Sequence, residues 1–390
     1  MGGDVTLPFI ASLVVDYSSR TIDNSIAGSY DVDATSLNWR VMDDLAIRVS
    51  EQTAVKAPDL GDLFLPQITT FSTAADPCDY RYRDVGRNPE QRRANCDAEG
   101  IPADFISNVV NATAQGVTGG NPNLINEVAD TKSTGLVYQP SWWGDVLFGA
   151  ASFAVDYIEI ELTDYVTSYS LTQNMNACYD YDTYPNSQFC DSFSRDAEFQ
   201  VDDFATGLIN AGLIDFATYV WKADWAFDVS ELASFVSREN VAMDLGSMAI
   251  RYRATQEDFF ASADSGAAED LRSATGQFGN DEWFYDTQFE WAYQDWYVYV
   301  QGNSRSGGVI DIDRVYDDEY LGYDGQPIFE FDGYTSWNGG VGYRVNDGTT
   351  LRVNVSNLFD YDGTEDDVFT PEADLLFYGR SVTASMNVRF

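Results

Sequence analysis

The 390-residue chain carries 63 acidic against 22 basic side chains, a formal net charge of −41, and no histidine. That charge excludes nucleic acid as a partner, because phosphate binding needs Lys and Arg. The missing imidazole excludes Ser-His-Asp and Cys-His catalysis and any His-ligated metal. Hydrophobic residues make up 44% and aromatics 15%, enough to build a fold rather than a disordered acidic chain. No run reaches the roughly 20 apolar residues of a transmembrane helix, a test that strands with alternating polarity escape.

Side chains alternate across a strand, and that period recurs along the chain. Alternation predicts about twelve strands, near 5–17, 29–41, 43–56, 131–140, 145–168, 216–229, 242–256, 281–290, 293–304, 333–345, 348–358 and 378–390. Leu45, Ile47 and Val49 oppose Ala46, Arg48 and Ser50; Tyr219, Trp221, Ala223 and Trp225 oppose Lys222 and Asp224. Met248, Ile250 and Tyr252 oppose Arg251 and Arg253, and Leu351, Val353 and Val355 oppose Arg352 and Asn354. In 145–168 the apolar parity changes between Tyr157 and Ile158, which predicts either a bulge or a strand leaving the membrane. So many charges on one face imply a wet interior, which a sandwich core could not satisfy.

The connectors alternate between short, as at Asn346-Asp347-Gly348, and long, near 57–130, 169–215, 257–280, 305–332 and 359–377. Those long connectors hold −30 of the −41 charges, either for solubility in a salty medium or for binding a ligand or cation. Asp311 with Asp313, and Asp362 with Glu365, Asp366 and Asp367, are candidate Ca²⁺ loops, although neither reproduces an EF-hand. Otherwise no cofactor is expected. The final strand places Val382, Ala384, Met386, Val388 and Phe390 on one face and Ser381, Thr383, Ser385, Asn387 and Arg389 on the other. The fold class is therefore all-β, a transmembrane antiparallel β-barrel with long extracellular loops; a soluble β-sandwich is the alternative.

Cys78 and Cys96 share one long loop, and Cys178 and Cys190 another. In an exported protein each pair is expected to form a disulfide stabilising its loop by about 3 kcal/mol, with other connectivities open. A four-thiolate metal site lacks the CxxC spacing it favours. Met1-Gly2-Gly3-Asp4 has no basic export segment, so a mature chain or one without its amino-terminal part is expected.

Ordered landmarks give the chain a family resemblance. RVSEQTAVKAPDLGDLF at 48–64, GGNPNLINEVADTKSTGLVYQP at 119–140, VDYIEIELTD at 155–164, the cysteine-bearing loop at 175–190 and VNVSNLFD at 353–360 follow one another, and Phe390 ends the chain. Together they resemble the carboxy-terminal part of the β-barrel of TonB-dependent outer-membrane receptors. The resemblance implies a barrel of about 22 strands, of which these are the last twelve. An amino-terminal plug, a TonB-contacting box and the early strands are not matched. A fragment, a truncated gene or half of a split receptor is expected, with a self-closing twelve-stranded barrel as the alternative. Open edges in lipid would be very costly.

The resemblance further implies a location in the outer membrane of a Gram-negative bacterium, with the long loops outside the cell. Implied partners are outer-membrane lipid, the barrel-assembly machinery through Phe390, the plug, the TonB complex and a small-molecule nutrient. Loop residues suited to contact that nutrient are Tyr179, Tyr181, Asp182, Tyr184, Asp317, Asp318, Tyr320, Tyr323, Asp366 and Asp367. Aromatic faces flanked by carboxylates suit sugars, peptides or cations and repel an anionic ferric siderophore, so a carbohydrate or other organic solute is expected. A passive pore or surface-binding barrel is the rival, and an enzyme is not expected.

Overall fold

A computed structural model describes residues 9–26, 28–239, 241, 243–263, 271–277, 279–309, 330–361 and 379–389. In chain order, β1 (Ser12–Asn24), β2 (Gly28–Met42) and β3 (Leu45–Lys56) lead into a folded connection of α1 (Leu60–Phe64), β4 (Ile68–Ser72), α2 (Pro89–Glu99) and β5 (Ala114–Gly119). Next come β6 (Glu127–Tyr138), α3 (Trp143–Val146), β7 (Ala150–Ser168), α4 (Leu171–Tyr179) and β8 (Phe193–Arg195). They are followed by β9 (Val201–Asp228), α5 (Val229–Ser237), β10 (Ser247–Ala263), β11 (Arg272–Ser273), β12 (Trp283–Tyr293) and β13 (Trp296–Arg305). The chain ends through β14 (Gly308–Val309), β15 (Glu330–Phe331), β16 (Tyr334–Asn346), β17 (Thr349–Ser356) and β18 (Ser381–Val388).

Sixteen of these strands join one sheet, twelve of them along the path β1-β2-β3-β6-β7-β9-β10-β12-β13-β16-β17-β18, with β11 beside β10, β5 and β8 beside β9, and β4 beside β5. Every neighbouring pair along this path is antiparallel. Among the described residues the sheet does not close, and β1 and β18 are its ends.

Register puts the apolar alternations on a single face. Phe289 stands opposite Ile250 and Val300; Val341 opposite Val298 and Val353; Ala384 opposite Val353. Aromatic rings gather at both margins of this face. Phe153, Trp225, Trp291, Trp296 and Tyr343 lie toward the short turns, and Tyr157, Tyr219, Trp283 and Tyr285 toward the long connections. Along β12, Trp283 and Tyr293 mark the two margins; at ~3.4 Å per residue and a tilt of ~40° they stand about 25 Å apart across the membrane. That is the height of an outer-membrane barrel's lipid-facing band.

The twelve sequence-derived strands match the main path in number and differ at their far ends; the short strands β4, β5, β8, β11, β14 and β15 lie in stretches expected as connectors. β1 runs to Asn24, β9 begins at Val201 and β10 extends to Ala263, in stretches expected as connectors. Beyond the apolar band both faces are polar, so alternation fades while backbone pairing continues. At the top of β1–β2 polar cross-strand bonds hold the register: Thr21 Oγ1 donates to Asp31 at 2.7 Å and Ser29 Oγ to Asp23 at 2.8 Å. Pairing is continuous through Tyr157 and Ile158 on both sides of β7, so the parity change there is not a bulge. The strand leaves the apolar band, and Glu159 and Glu161 continue the face that Val155 and Tyr157 began.

Because the two faces meet different solvents, matched substitutions separate them. Val341→Arg on the apolar face is expected to lower unfolding free energy in lipid vesicles by about 2–4 kcal/mol. Gln301→Arg on the polar face should leave it nearly unchanged. Equal losses in urea titrations of the two variants would refute the assignment of faces.

Candidate functional site

The polar face carries a ladder of paired charges across six strands. Arg48 Nη2 on β3 lies 2.6 Å from Asp156 Oδ1 on β7, and Lys222 Nζ on β9 lies 3.6 Å from Asp156 Oδ2. Gly135 sits between the first two strands; a Cβ there would stand 2.0 Å from Asp156 Oδ1, so glycine clears the space for the pair. Arg253 Nη2 on β10 is 2.7 Å from Asp224 Oδ1, and Arg251 Nη1 is 2.5 Å from Glu290 Oε1 on β12. Gln301 on β13 donates to Asp286 at 2.5 Å, and Tyr299 donates to Asn354 on β17 at 3.3 Å. Cations and carboxylates balance along this wall, in contrast to the acidic connections. Its lower edge turns to small side chains, Ala150, Ala226, Ala249 and Ala292, around a cleft of ≈ 450 Å³ that Glu231, Glu290 and Tyr297 also line.

Above the wall, the β3–β6 and β7–β9 connections fold into one body. Cys78–Cys96 and Cys178–Cys190 are both disulfides, and the first pair is fully buried. The halves are then joined by buried ion pairs. Arg92 on α2 reaches Asp180 after α4, with Nη2 2.7 Å from Asp180 Oδ2, both side chains 4% exposed. Arg195 grips Asp76 in bidentate fashion, both bonds 2.8 Å, and donates through Nε to the Tyr179 hydroxyl at 3.0 Å. Asn95 Nδ2 donates to the carbonyls of Tyr179 and Tyr181, each at 2.8 Å. Burial pushes the Asp79 carboxyl up, but hydrogen bonds from the Arg81 guanidinium and the Arg81 and Ser107 amides outweigh it and hold it below the usual range.

This body relocates one expected contact residue. Tyr179 is 1% exposed, its ring 5.4 Å from that of Tyr184 and its hydroxyl donating to Glu99, so it is part of the loop core and offers no surface to a ligand. Tyr184 is half-buried beside it and donates to Glu99 at 3.3 Å; burial, then Glu99, pushes its phenol up to about 12. Tyr181 is half-buried and Asp182 exposed at the rim. Asp317, Asp318, Tyr320, Tyr323, Asp366, Asp367 and Phe390 lie outside the described residues, as do Asp311, Asp313, Asp362 and Glu365. Among the described residues no group of three His, Cys, Asp or Glu side chains is arranged to hold a metal ion.

Sequence reasoning missed the ion pairs. Their signal was five arginines within 81–93, in a chain with 22 basic residues altogether. It assigned the acidity mainly to the exposed face of the loops; within them Asp76, Asp79 and Asp180 are buried structural anions. The family-like motifs prove to be clamps at strand–loop junctions. Lys56 Nζ meets Glu127 Oε2 at 2.8 Å, and Glu127 Oε1 accepts the Val166 amide at 2.8 Å. The Asp62 carbonyl accepts the Asn121 amide at 2.8 Å, and a Cβ on Gly120 would lie 2.6 Å from Leu65 N. Asn357, at φ 52° and 1% exposed, turns the chain out of β17 and exchanges bonds with Tyr361.

The family model described as TonB dependent receptor-like, beta-barrel matches residues 4–358. The chain belongs to the TonB-dependent receptor family. Members of that family are outer-membrane β-barrel proteins of Gram-negative bacteria. The siderophore receptor PirA from Acinetobacter baumannii superposes with a TM-score of 0.57 at 14% identity, over 99% of this chain and 44% of that one. A ferric enterobactin receptor mutant from Pseudomonas aeruginosa gives 0.57 at 12% identity, over 98% and 43%. Another mutant of that receptor, in complex with enterobactin, gives 0.57 at 13% identity, over 98% and 44%. At these identities the likeness shows the fold. The TonB-dependent receptor barrel seen here thus spans less than half the length of each of those structures. No curated protein matches it.

The arginine brace can be tested directly. Arg92→Ala leaves Asp180 buried without its cation and is expected to loosen the loop body by about 3–5 kcal/mol. Limited proteolysis should then cut within 57–126 or 169–200 while far-ultraviolet circular dichroism keeps its β signal. Unchanged protease resistance would show that the pair does not hold the loops.

Proposed function

We propose that this chain forms wall and outer loops of a receptor that takes up a scarce small nutrient across the outer membrane with energy from the TonB complex. The observation that carries the reading is the continuous polar face, hydrogen-bonded and ion-paired from β3 to β17 opposite an apolar face of lipid-spanning height. A wall of that kind suits a water-filled lumen occupied by a polar plug. Its balanced charges contact a folded domain without repelling it.

The long connections face outside the cell in this reading, and the short turns face the periplasm. The open edges of β1 and β18 pair with further strands, because unpaired backbone in lipid costs several kcal/mol per group. The nutrient enters through the loops, meeting Tyr181, Asp182 and Tyr184 on the braced body. Asp317, Asp318, Tyr320, Tyr323, Asp366 and Asp367 complete the candidate contacts. The acidic mouth favours a neutral or cationic organic solute such as a carbohydrate over an anionic iron chelate.

Cells making the receptor should accumulate a labelled oligosaccharide from a test panel only when TonB is functional, and should ignore a ferric tris-catecholate. Asp318→Ala and Tyr320→Ala should each weaken binding of that oligosaccharide by about tenfold, or ~1.4 kcal/mol. Uptake that persists without TonB would favour the passive pore. Preference for the ferric chelate would overturn the charge argument, and unchanged affinity in both variants would return those residues to plain surface.

A further inference from the structure

The short-turn end of the sheet is not uniform. Most of its connections are tight, as between β2 and β3, β12 and β13, and β16 and β17. The β6–β7 and β9–β10 connections instead carry α3 and α5, and their strands adjoin in the sheet. Both connections pack onto the apolar face. Phe148 lies 4.8 Å from Trp225, 5.0 Å from Phe227 and 5.4 Å from Phe235 on α5, while Trp143 lies 5.5 Å from Phe153 and 6.0 Å from Trp225. Phe153, Trp225 and Phe227 are lower-margin residues of that face, in register with Ala223, Ile250 and Met248.

Beyond this aromatic seam the two connections turn more apolar side chains outward. Phe235 is 51% exposed and Val236 72%, with Met243 at 68% and Val146 at 61%. Between the helices lies a cleft of ≈ 440 Å³ walled by Leu147, Phe148, Phe235 and Val241, with Ser230, Glu231 and Ser234 at its polar side. Large apolar side chains placed this way mark an interaction surface.

We propose that α3 and α5 form an interfacial foot that lies in the phospholipid leaflet on the short-turn side and prolongs the lipid-facing band sideways. Continuity decides the occupant: the patch begins at rings that already belong to the apolar face, so lipid reaches it without a break. A helix with one apolar edge lies in the interface plane, with its apolar residues a few Å below the headgroups. Charge decides the lipid. Asp145, Asp228, Glu231, Glu239 and Asp244 outnumber Arg238 in these connections, so the foot suits a zwitterionic headgroup and gains nothing from an anionic one. This inference rests on the membrane reading of the sheet.

The described residues contain no free cysteine, so single added cysteines can be spin-labelled. The full chain in phosphatidylcholine vesicles would carry Val236→Cys or Met243→Cys, with Asp43→Cys in the β2–β3 turn as the aqueous reference and Val353→Cys as the lipid reference. The ratio of oxygen to nickel-chelate collision rates at 236 and 243 should exceed that at 43 several-fold. Adding phosphatidylglycerol should not raise it. Ratios at 236 and 243 equal to that at 43, with 353 still in lipid, would overturn the foot alone. An aqueous reading at 353 as well would overturn the membrane reading with it. A rise on adding phosphatidylglycerol would overturn the choice of a zwitterionic lipid.

Discussion

Backbone amides and carbonyls in a bilayer have no water to bond, so a strand can stay there only with a partner on each edge. The rest of this structure follows from that constraint. It forces the twelve long strands into one antiparallel path, fixes their register, and thereby sends alternate side chains to opposite solvents. The apolar face can then be lined by valine, leucine and aromatic rings. Lipid offers no hydrogen bonds, so the aromatic hydroxyls and indoles gather at its margins. The same constraint makes β1 and β18 the costliest features of the described sheet.

The polar face solves a different problem. Arginines and carboxylates projecting into a lumen need neither full burial nor full hydration. Cross-strand pairing of Arg48 with Asp156, and of Arg253 with Asp224, keeps them ordered at modest energetic cost. In the loop body the pairs are buried, and their logic reverses. Arg92–Asp180 and Arg195–Asp76 gain little over an apolar core, yet losing one partner strands the other. They give the two loops a single arrangement, and the disulfides shorten the chain that must find it.

Much of this was legible in the sequence, and the parts that were not share a cause. Strand number and facing came through where one side of the strand meets lipid, as at Leu351, Val353 and Val355. The signal vanished where both sides are wet, so β1 beyond Tyr17 and β9 before Phe216 read as loop although they are paired strand. Local disulfides could be guessed from cysteine spacing. The ion pairs could not, since Arg92 and Asp180 are 88 residues apart and nothing local announces the partner. Tyr179 looked like a contact residue because aromatic loop residues often are; α4 and its neighbours bury it. The foot at α3 and α5 was invisible because short apolar connections resemble strand ends.

This sheet is a membrane wall with one lipid face and one wet face. Cysteines placed singly along β12 in lipid vesicles, from Trp283 to Tyr293, test it most directly through their reaction with a water-soluble maleimide. Labelling should be fast at Phe284, Asp286, Gln288 and Glu290 and slow at Tyr285, Thr287, Phe289 and Trp291. Uniform labelling, or a pattern without the two-residue period, would contradict it.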